Sequence, residues 1–388
     1  MAQTLTLNQA EKQLLAYLHA VDGVGQRRLA WFLELKKKQG VNLLDAWRQE
    51  PILDQLLSAK NAKENFGRLK NRHDVVSYWR WLKDQDIRTL FLTDPDYPYL
   101  LKQTASPPTL LYLKYQDPKA RALLKADLPI AVVGSRRMTA YGRYVTKKLT
   151  VELVALGATI VSGFMYGVDT QAHLATVEAG GGTVAVLGFG FGHMFPASHQ
   201  KIFTKLLRAG GLFISQFAPH VRAHPGNFPA RNAIVAGLSL GTLVTEAGIK
   251  SGSHITAQFA LDEGRAVMAV PGPIDNPYSQ GTKWLINEGA TMVTSAYDVL
   301  NALDIKSLPQ DPLVTNSQKR VKPEFKDELE RKIYQLLTVQ HLTTDELLKQ
   351  LEDEDGLDLS RLSTKLTALE LHGLIERVGV SWQGIRKC

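Results

Sequence analysis

Cysteine is all but missing. One residue in 388, Cys388, carries a thiol, which excludes a disulfide scaffold and any multi-cysteine zinc or iron–sulfur site, and suits a reducing compartment. Long apolar runs are missing too. No stretch approaches about 18 uninterrupted apolar residues, so a membrane-spanning helix is not expected. Met1 to Ala20 alternates polar residues with leucine and has no basic start ahead of an apolar block, so no secretory leader is read and the cytoplasm is the expected location. Acidic residues are the minority charge, 38 against 46 basic, for a net +8. The imbalance is local: residues 119–303 carry 16 basic and 10 acidic side chains, residues 326–388 carry 9 and 12. A basic middle either attracts a polyanion or is merely a solvated surface, and composition leaves both open.

Periodicity divides the chain. Leu14, Leu18, Leu29, Phe32 and Leu33, and later Trp79, Trp81 and Leu82, recur at spacings near three and four, which predicts helices over the first hundred residues. The turn Val21-Asp22-Gly23-Val24-Gly25 resembles a helix-hairpin-helix, or SAM-like, connection; a tight turn that uses glycine for its backbone freedom is the preferred reading. Asp94-Pro95-Asp96-Tyr97-Pro98 and Ser106-Pro107-Pro108 read as an extended connector. From residue 128 the pattern becomes short apolar runs that end near glycine and alternate with helical stretches: Ile130 to Val133, Thr159 to Val161, Val184 to Leu187, Leu212 to Ile214, Thr242 to Thr245 and Val267 to Val270. Strands apolar on both faces imply a mostly parallel sheet covered by helices, an α/β Rossmann-like core. The polar, proline-punctuated stretch 304–325 reads as a linker. Helical segments near 329–337, 344–351 and 359–371, followed by an alternating hairpin from Gly373 to Trp382, describe a winged helix. Its net negative charge argues against strong backbone contact with DNA. The expected domains are therefore 1–118 helical with connector, 119–303 Rossmann-like, 304–325 linker and 326–388 winged-helix-like.

In such a sheet ligands bind beyond the carboxyl ends of the strands. The first loop there, Gly134-Ser135-Arg136-Arg137, combines a glycine turn, a helix start and two guanidinium groups, a combination suited to phosphate. It is neither a Walker A motif nor a dinucleotide fingerprint, so ATP hydrolysis and NAD binding lose support. The second loop supplies Ser162, Gly163 and Gly167. Within it Asp169 is expected to cap the next helix and His173 to lie on that helix's surface, since a structural role outweighs acid–base chemistry for this pair. The third, Gly188-Phe189-Gly190-Phe191-Gly192, leads to Lys201; its phenylalanines read as core. The fourth places Asn227, Phe228, Arg231 and Asn232 at a helix start, and the fifth does so with Ser251, Gly252 and Ser253 after Glu246. Together these make a candidate polyanion groove. No nucleophile with its base, no paired carboxylates and no metal-ligand cluster can be read, so catalytic residues, metal and cofactor are all expected to be absent.

These segments, in order, resemble the DprA/Smf family of bacterial DNA-processing proteins. The carrying motifs include Gly134-Ser135-Arg136, Gly167-Val168-Asp169, Phe228-Pro229-Ala230-Arg231-Asn232, Ser251-Gly252-Ser253 and Ala269-Val270-Pro271-Gly272. The resemblance implies a non-enzymatic protein that binds single-stranded DNA, protects it and helps load RecA in natural transformation, working as a homodimer through the Rossmann-like domain. It assigns the DNA pocket to Gly134, Ser135 and Arg136 with Phe228, Arg231 and Asn232, and more weakly to Lys201. Ala233 stands where the family usually has a second arginine, and Phe195-Pro196 where it usually has Tyr-Pro. The rival reading is a nucleotide-binding hydrolase similar to nucleoside monophosphate phosphoribohydrolases, with Glu246 after Gly241-Thr242 as its catalytic residue. A structural adaptor acting through the tail is a third.

Overall fold

A computed structural model describes residues 6–305, 325, 327–352, 357–371, 374–378 and 381–384. It divides into two compact units, Met1–Lys306 and Ser307–Cys388. The expected linker at 304–325 lies almost wholly outside the described residues, as do Gly373 and Cys388.

The first unit is built on nine strands: β1 (Arg88–Phe91), β2 (Leu110–Lys114), β3 (Pro129–Val133), β4 (Thr159–Ser162), β5 (Thr183–Leu187), β6 (Leu212–Ser215), β7 (Gly241–Val244), β8 (Ala266–Ala269) and β9 (Thr291–Met292). Their order is β1-β2-β6-β5-β4-β3-β7-β8-β9. From β6 to β9 all pairings are parallel, and β1–β2 and β2–β6 are antiparallel. Every residue of β3, β4, β5, β6 and β7 is buried, as expected for strands covered on both faces. The chain runs outward from β3 through β4, β5 and β6, then returns to β7 on the other side of β3. That reversal is the topological switch point, so the loops after β3 and β7 open onto a common crevice.

The helical layer is not separate from the sheet. Leu14, Leu18, Leu29 and Phe32 share one core with Leu110 and Tyr112 of β2. The Gln26 amide donates to the carbonyls of Leu110 (2.8 Å) and Gln216 (2.9 Å) and accepts from the Leu110 amide. Strands β1 and β2 are a correction to an all-helical N-terminal stretch with an extended connector. Arg88-Thr89-Leu90-Phe91 follows a charged run with no strand alternation, and Leu110–Lys114 is masked in sequence by Pro107-Pro108. A helical turn, Tyr99–Lys102, also interrupts the connector. The turn at Gly23, at φ +100, packs against Ala59 and Ala62, in keeping with a tight structural connection.

In the second unit, helices Glu328–Val339, Thr344–Gln350 and Leu359–Leu371 enclose Ile333, Leu347, Leu362 and Leu366. Strands β10 (Leu342–Thr343), β11 (Ile375–Val378) and β12 (Ser381–Gly384) form a three-stranded sheet in the order β10-β12-β11, completing a winged-helix arrangement.

Candidate nucleic-acid interface

The switch-point crevice is made by loops that approach too closely for side chains. A Cβ on Gly134 would fall 2.6 Å from the Glu246 carbonyl oxygen, and one on Gly167 would fall 2.1 Å from that of Ser135. Gly167 also adopts φ +75, a left-handed conformation glycine takes without penalty. The Ser135 amide donates to the Glu246 carbonyl at 2.7 Å. Its hydroxyl donates to the Arg137 carbonyl (2.7 Å) and accepts from the Arg137 amide (3.1 Å). This closed turn leaves Arg136 and Arg137 exposed. Neither guanidinium, nor the exposed ammonium of Lys250 across the crevice, has an ion-pair partner among the described residues. Unneutralised cations in a concave site are the electrostatic requirement for holding phosphates.

Glu246 has a different task. Its carboxylate accepts from the Thr139 amide (2.8 Å) and the Thr139 hydroxyl, while Thr139 in turn caps the Ala140–Ala155 helix by accepting from the Gly142 amide (3.0 Å). Glu246 is 2% exposed and does not line the crevice. It therefore anchors a helix start and, in this arrangement, does not present its carboxylate to the crevice.

The opposite wall comes from the Asn227–Gly237 helix. Phe228 has two guanidinium groups within cation–π range, Arg136 at 5.3 Å and Arg231 at 5.7 Å from its ring centroid, contacts that hold both the ring and the flexible Arg136. Gly188 is needed beneath it, since a Cβ there would sit 2.8 Å from the ring. Phe195, 39% exposed, packs against Phe228 at 5.9 Å between centroids. Both this helix and Ser253–Asp262 begin at glycines, Gly226 and Gly252, without a side-chain cap, so the positive ends of two helix dipoles face the same space. Asn232 joins the two by donating to the Gly252 carbonyl at 3.3 Å. The resulting cleft has a volume of about 850 Å³.

Of the residues expected in the groove, the fold brings Gly134, Ser135, Arg136, Arg137, Gly163, Phe228, Arg231, Asn232, Ser251, Gly252 and Ser253 to its lining. Four are elsewhere. Ser162 is buried and donates to the Val132 carbonyl at 2.6 Å; Gly167 is packed under the Ser135–Arg136 backbone; Asn227 donates back to the Arg222 carbonyl; and Lys201 lines a second groove on another helix. Arg231, though in the lining, is only 3% exposed. Its Nη1 donates to the Val186 carbonyl at 3.0 Å, and Nε is buried without a partner. Burial lowers its pKa to about 10, against the opposing pull of the Asp169 carboxylate. Burial in turn raises the pKa of Asp169, with Arg231 resisting. Arg231 is thus a structural counter-charge to Asp169.

Asp169 and His173 correct the sequence reading. Asp169 does not cap the Val168–Glu178 helix, whose cap position is Gly167, but accepts the Met165 amide at 3.2 Å. His173 is not on the surface; it is fully buried, with Nδ1 2.7 Å from the Thr183 hydroxyl. Lining residues that the sequence did not single out for the groove include Phe195, Lys250, Met165 and Tyr278. Lys250, immediately before Ser251, was legible as a charge at a strand-end loop.

Fold and site define a Rossmann-like α/β protein with a cationic, aromatic-edged cleft at the switch point of its sheet. A family model described as DNA recombination-mediator protein A matches residues 88–304, and the chain belongs to that family. It is 37% identical over 275 residues to DNA processing protein DprA of Bacillus subtilis (strain 168), covering 67% of this chain and 89% of that one. With Protein Smf of Escherichia coli (strain K12) it shares 38% identity over 243 residues, 62% of this chain, and it spans just under two thirds (64%) of that relative. A crystal structure of DNA processing protein A (DprA) from Streptococcus pneumoniae superposes with a TM-score of 0.64 at 32% identity, covering 76% of this chain and 98% of that one.

Proposed function

We propose that the protein binds single-stranded DNA in the switch-point cleft. The observation that carries this reading is that the unneutralised Arg136, Arg137 and Lys250 line one cleft with the half-buried ring of Phe228. The cations hold phosphates, and the ring stacks on a base. A stacked base has to be unpaired, so a single strand is preferred to a duplex, and readout by phosphate and π-face makes sequence preference slight. Membership of a family whose relatives are named for DNA processing supports the same ligand. The resemblance supports a working form in which two copies pair through the Rossmann-like domain, protect the strand and help load RecA in the cytoplasm, without catalysis of their own. No helix among the described residues is long and apolar enough to cross a membrane.

A salt titration tests the cleft. Arg136→Ala is expected to weaken binding of a labelled oligothymidylate and to make the slope of log affinity against log salt shallower by about 0.7, the value of one single-strand phosphate contact. Phe228→Ala is expected to weaken binding by roughly 1 to 3 kcal/mol with the slope unchanged. An unaltered slope in Arg136→Ala, or equal wild-type affinity for duplex and single strand, rejects the reading.

A further inference from the structure

Cationic surface continues beyond the cleft. On the Gln200–Arg208 helix, Lys201, Lys205 and Arg208 stand at i, i+4 and i+7 and so share a face. All three are exposed, while Phe203 and Leu206 bury the other face. They line a shallow groove of about 610 Å³ with Gln200 and Thr204. A single carboxylate, Glu178, reaches this face, 3.7 Å from the ammonium groups of both Lys205 and Lys147. Lys201 and Arg208 have no ion-pair partner among the described residues.

Tyr166 stands between this face and the cleft. It is 47% exposed, yet its ring is fixed at both ends: the hydroxyl is 2.8 Å from the Ser198 hydroxyl, and the ring meets His199 edge-to-face at 4.7 Å. Backbone ties place it. On one side Gly167 packs onto the Ser135 and Arg136 carbonyls; on the other, Ser198 and His199 lead directly into the Lys201 helix. Two residues earlier Phe164 takes φ +58, a left-handed conformation unusual for a bulky residue, and its ring is buried against His199 and Phe213. The loop is therefore held in a strained turn that sends one aromatic ring inward and presents the next outward, one residue before the Gly167 contact with the Arg136 backbone. A rigid, exposed ring is what a stacked nucleobase requires, because little side-chain freedom is left to lose on binding.

We propose that Tyr166 is a second stacking platform: the strand leaves the cleft past Arg136, lays a base on Tyr166 and runs its phosphates along Lys201, Lys205 and Arg208. This rests on the cleft being a single-strand site, so the test uses two lengths of DNA. Fluorescence anisotropy on the full chain compares labelled oligothymidylates of six and twenty nucleotides, one near the short end of and one beyond the roughly 4 to 16 nucleotides that single-strand-binding grooves cover. Tyr166→Ala is expected to weaken the twenty-mer at least about fivefold and to leave the six-mer unchanged. Unchanged six-mer binding also shows that the variant is folded. Tyr166→Phe keeps the ring and is expected to retain wild-type binding at both lengths. Lys201→Gln with Lys205→Gln is expected to make the salt slope for the twenty-mer shallower by about 1.4, two phosphates' worth, and not that for the six-mer. Wild-type behaviour of Tyr166→Ala at both lengths, or an equal loss at both, overturns the proposal. Failure of the cleft itself appears separately, as six-mer binding that ignores Arg136→Ala.

Discussion

Arg231 shows how far a single residue can depart from its motif. Gly163, Asp169 and Val186 are remote from it in sequence, yet together they decide its environment: a Cβ on Gly163 would fall 2.0 Å from Arg231 Nη1 and 2.7 Å from an Asp169 carboxylate oxygen, and the Val186 carbonyl accepts from Nη1. The missing side chain is the space in which the guanidinium lies. Sequence placed Arg231 at a helix start near other cations, which is correct, but burial depends on neighbours that only the fold assembles. Truncation therefore has a structural cost before any effect on a ligand. Arg231→Ala leaves the Asp169 carboxyl buried without its opposing charge, and a loss on the order of 3 kcal/mol in urea unfolding is expected. Unfolding at the wild-type urea concentration would mean that Asp169 does not depend on Arg231.

At the scale of elements, the central strands were readable because each is an uninterrupted apolar run closed by a turn, and the three helices of the second unit because their leucines recur at helical spacing. β1 and β2 were not readable. They belong to the sheet's antiparallel edge, and β2 turns one face to the helical layer and the other to the main core, so neither local pattern nor βα alternation announces them. Glu246 was readable as a strand-end carboxylate, but its role depends on a helix start about a hundred residues earlier. That role is open to test at Gly142, where a Cβ would lie 2.3 Å from Glu246 Oε2. Gly142→Ala is expected to push the carboxylate off the Thr139 cap and lower stability by about 1 to 3 kcal/mol, read as a shift in the thermal midpoint. A variant as stable as wild type would show that Glu246 is free to move, and would return it to consideration as a reactive group.

Across the first unit as a whole, three buried histidines, His19, His173 and His199, couple folding to pH, the first two most strongly. His19 lies at the seam between the helical layer and the sheet, with Nδ1 3.0 Å from the Tyr112 hydroxyl, and His173 lies between the Val168–Glu178 helix and β5. Burial lowers both pKa values from 6.5 to about 3, with smaller contributions from His220 for His19 and from Arg231 and His199 for His173. Each stays neutral in the folded chain over a range where the unfolded chain takes up a proton. The unfolded state therefore binds more protons between pH 6.5 and about 3, and stability falls as the pH drops through that window, with a slope approaching about 1.4 kcal/mol per pH unit for each histidine. Asp169 acts in the opposite sense, since its raised pKa favours the folded state on acidification, but it is one group against three histidines. Thermal midpoints should thus be level above pH 7 and decline steadily below 6.5. His19→Gln, which keeps a polar group opposite Tyr112 and cannot be protonated, should show a shallower decline whatever its midpoint at neutral pH. An identical decline in the variant would locate acid sensitivity elsewhere, and would mean that the seam joining helices to sheet tolerates a charged imidazole.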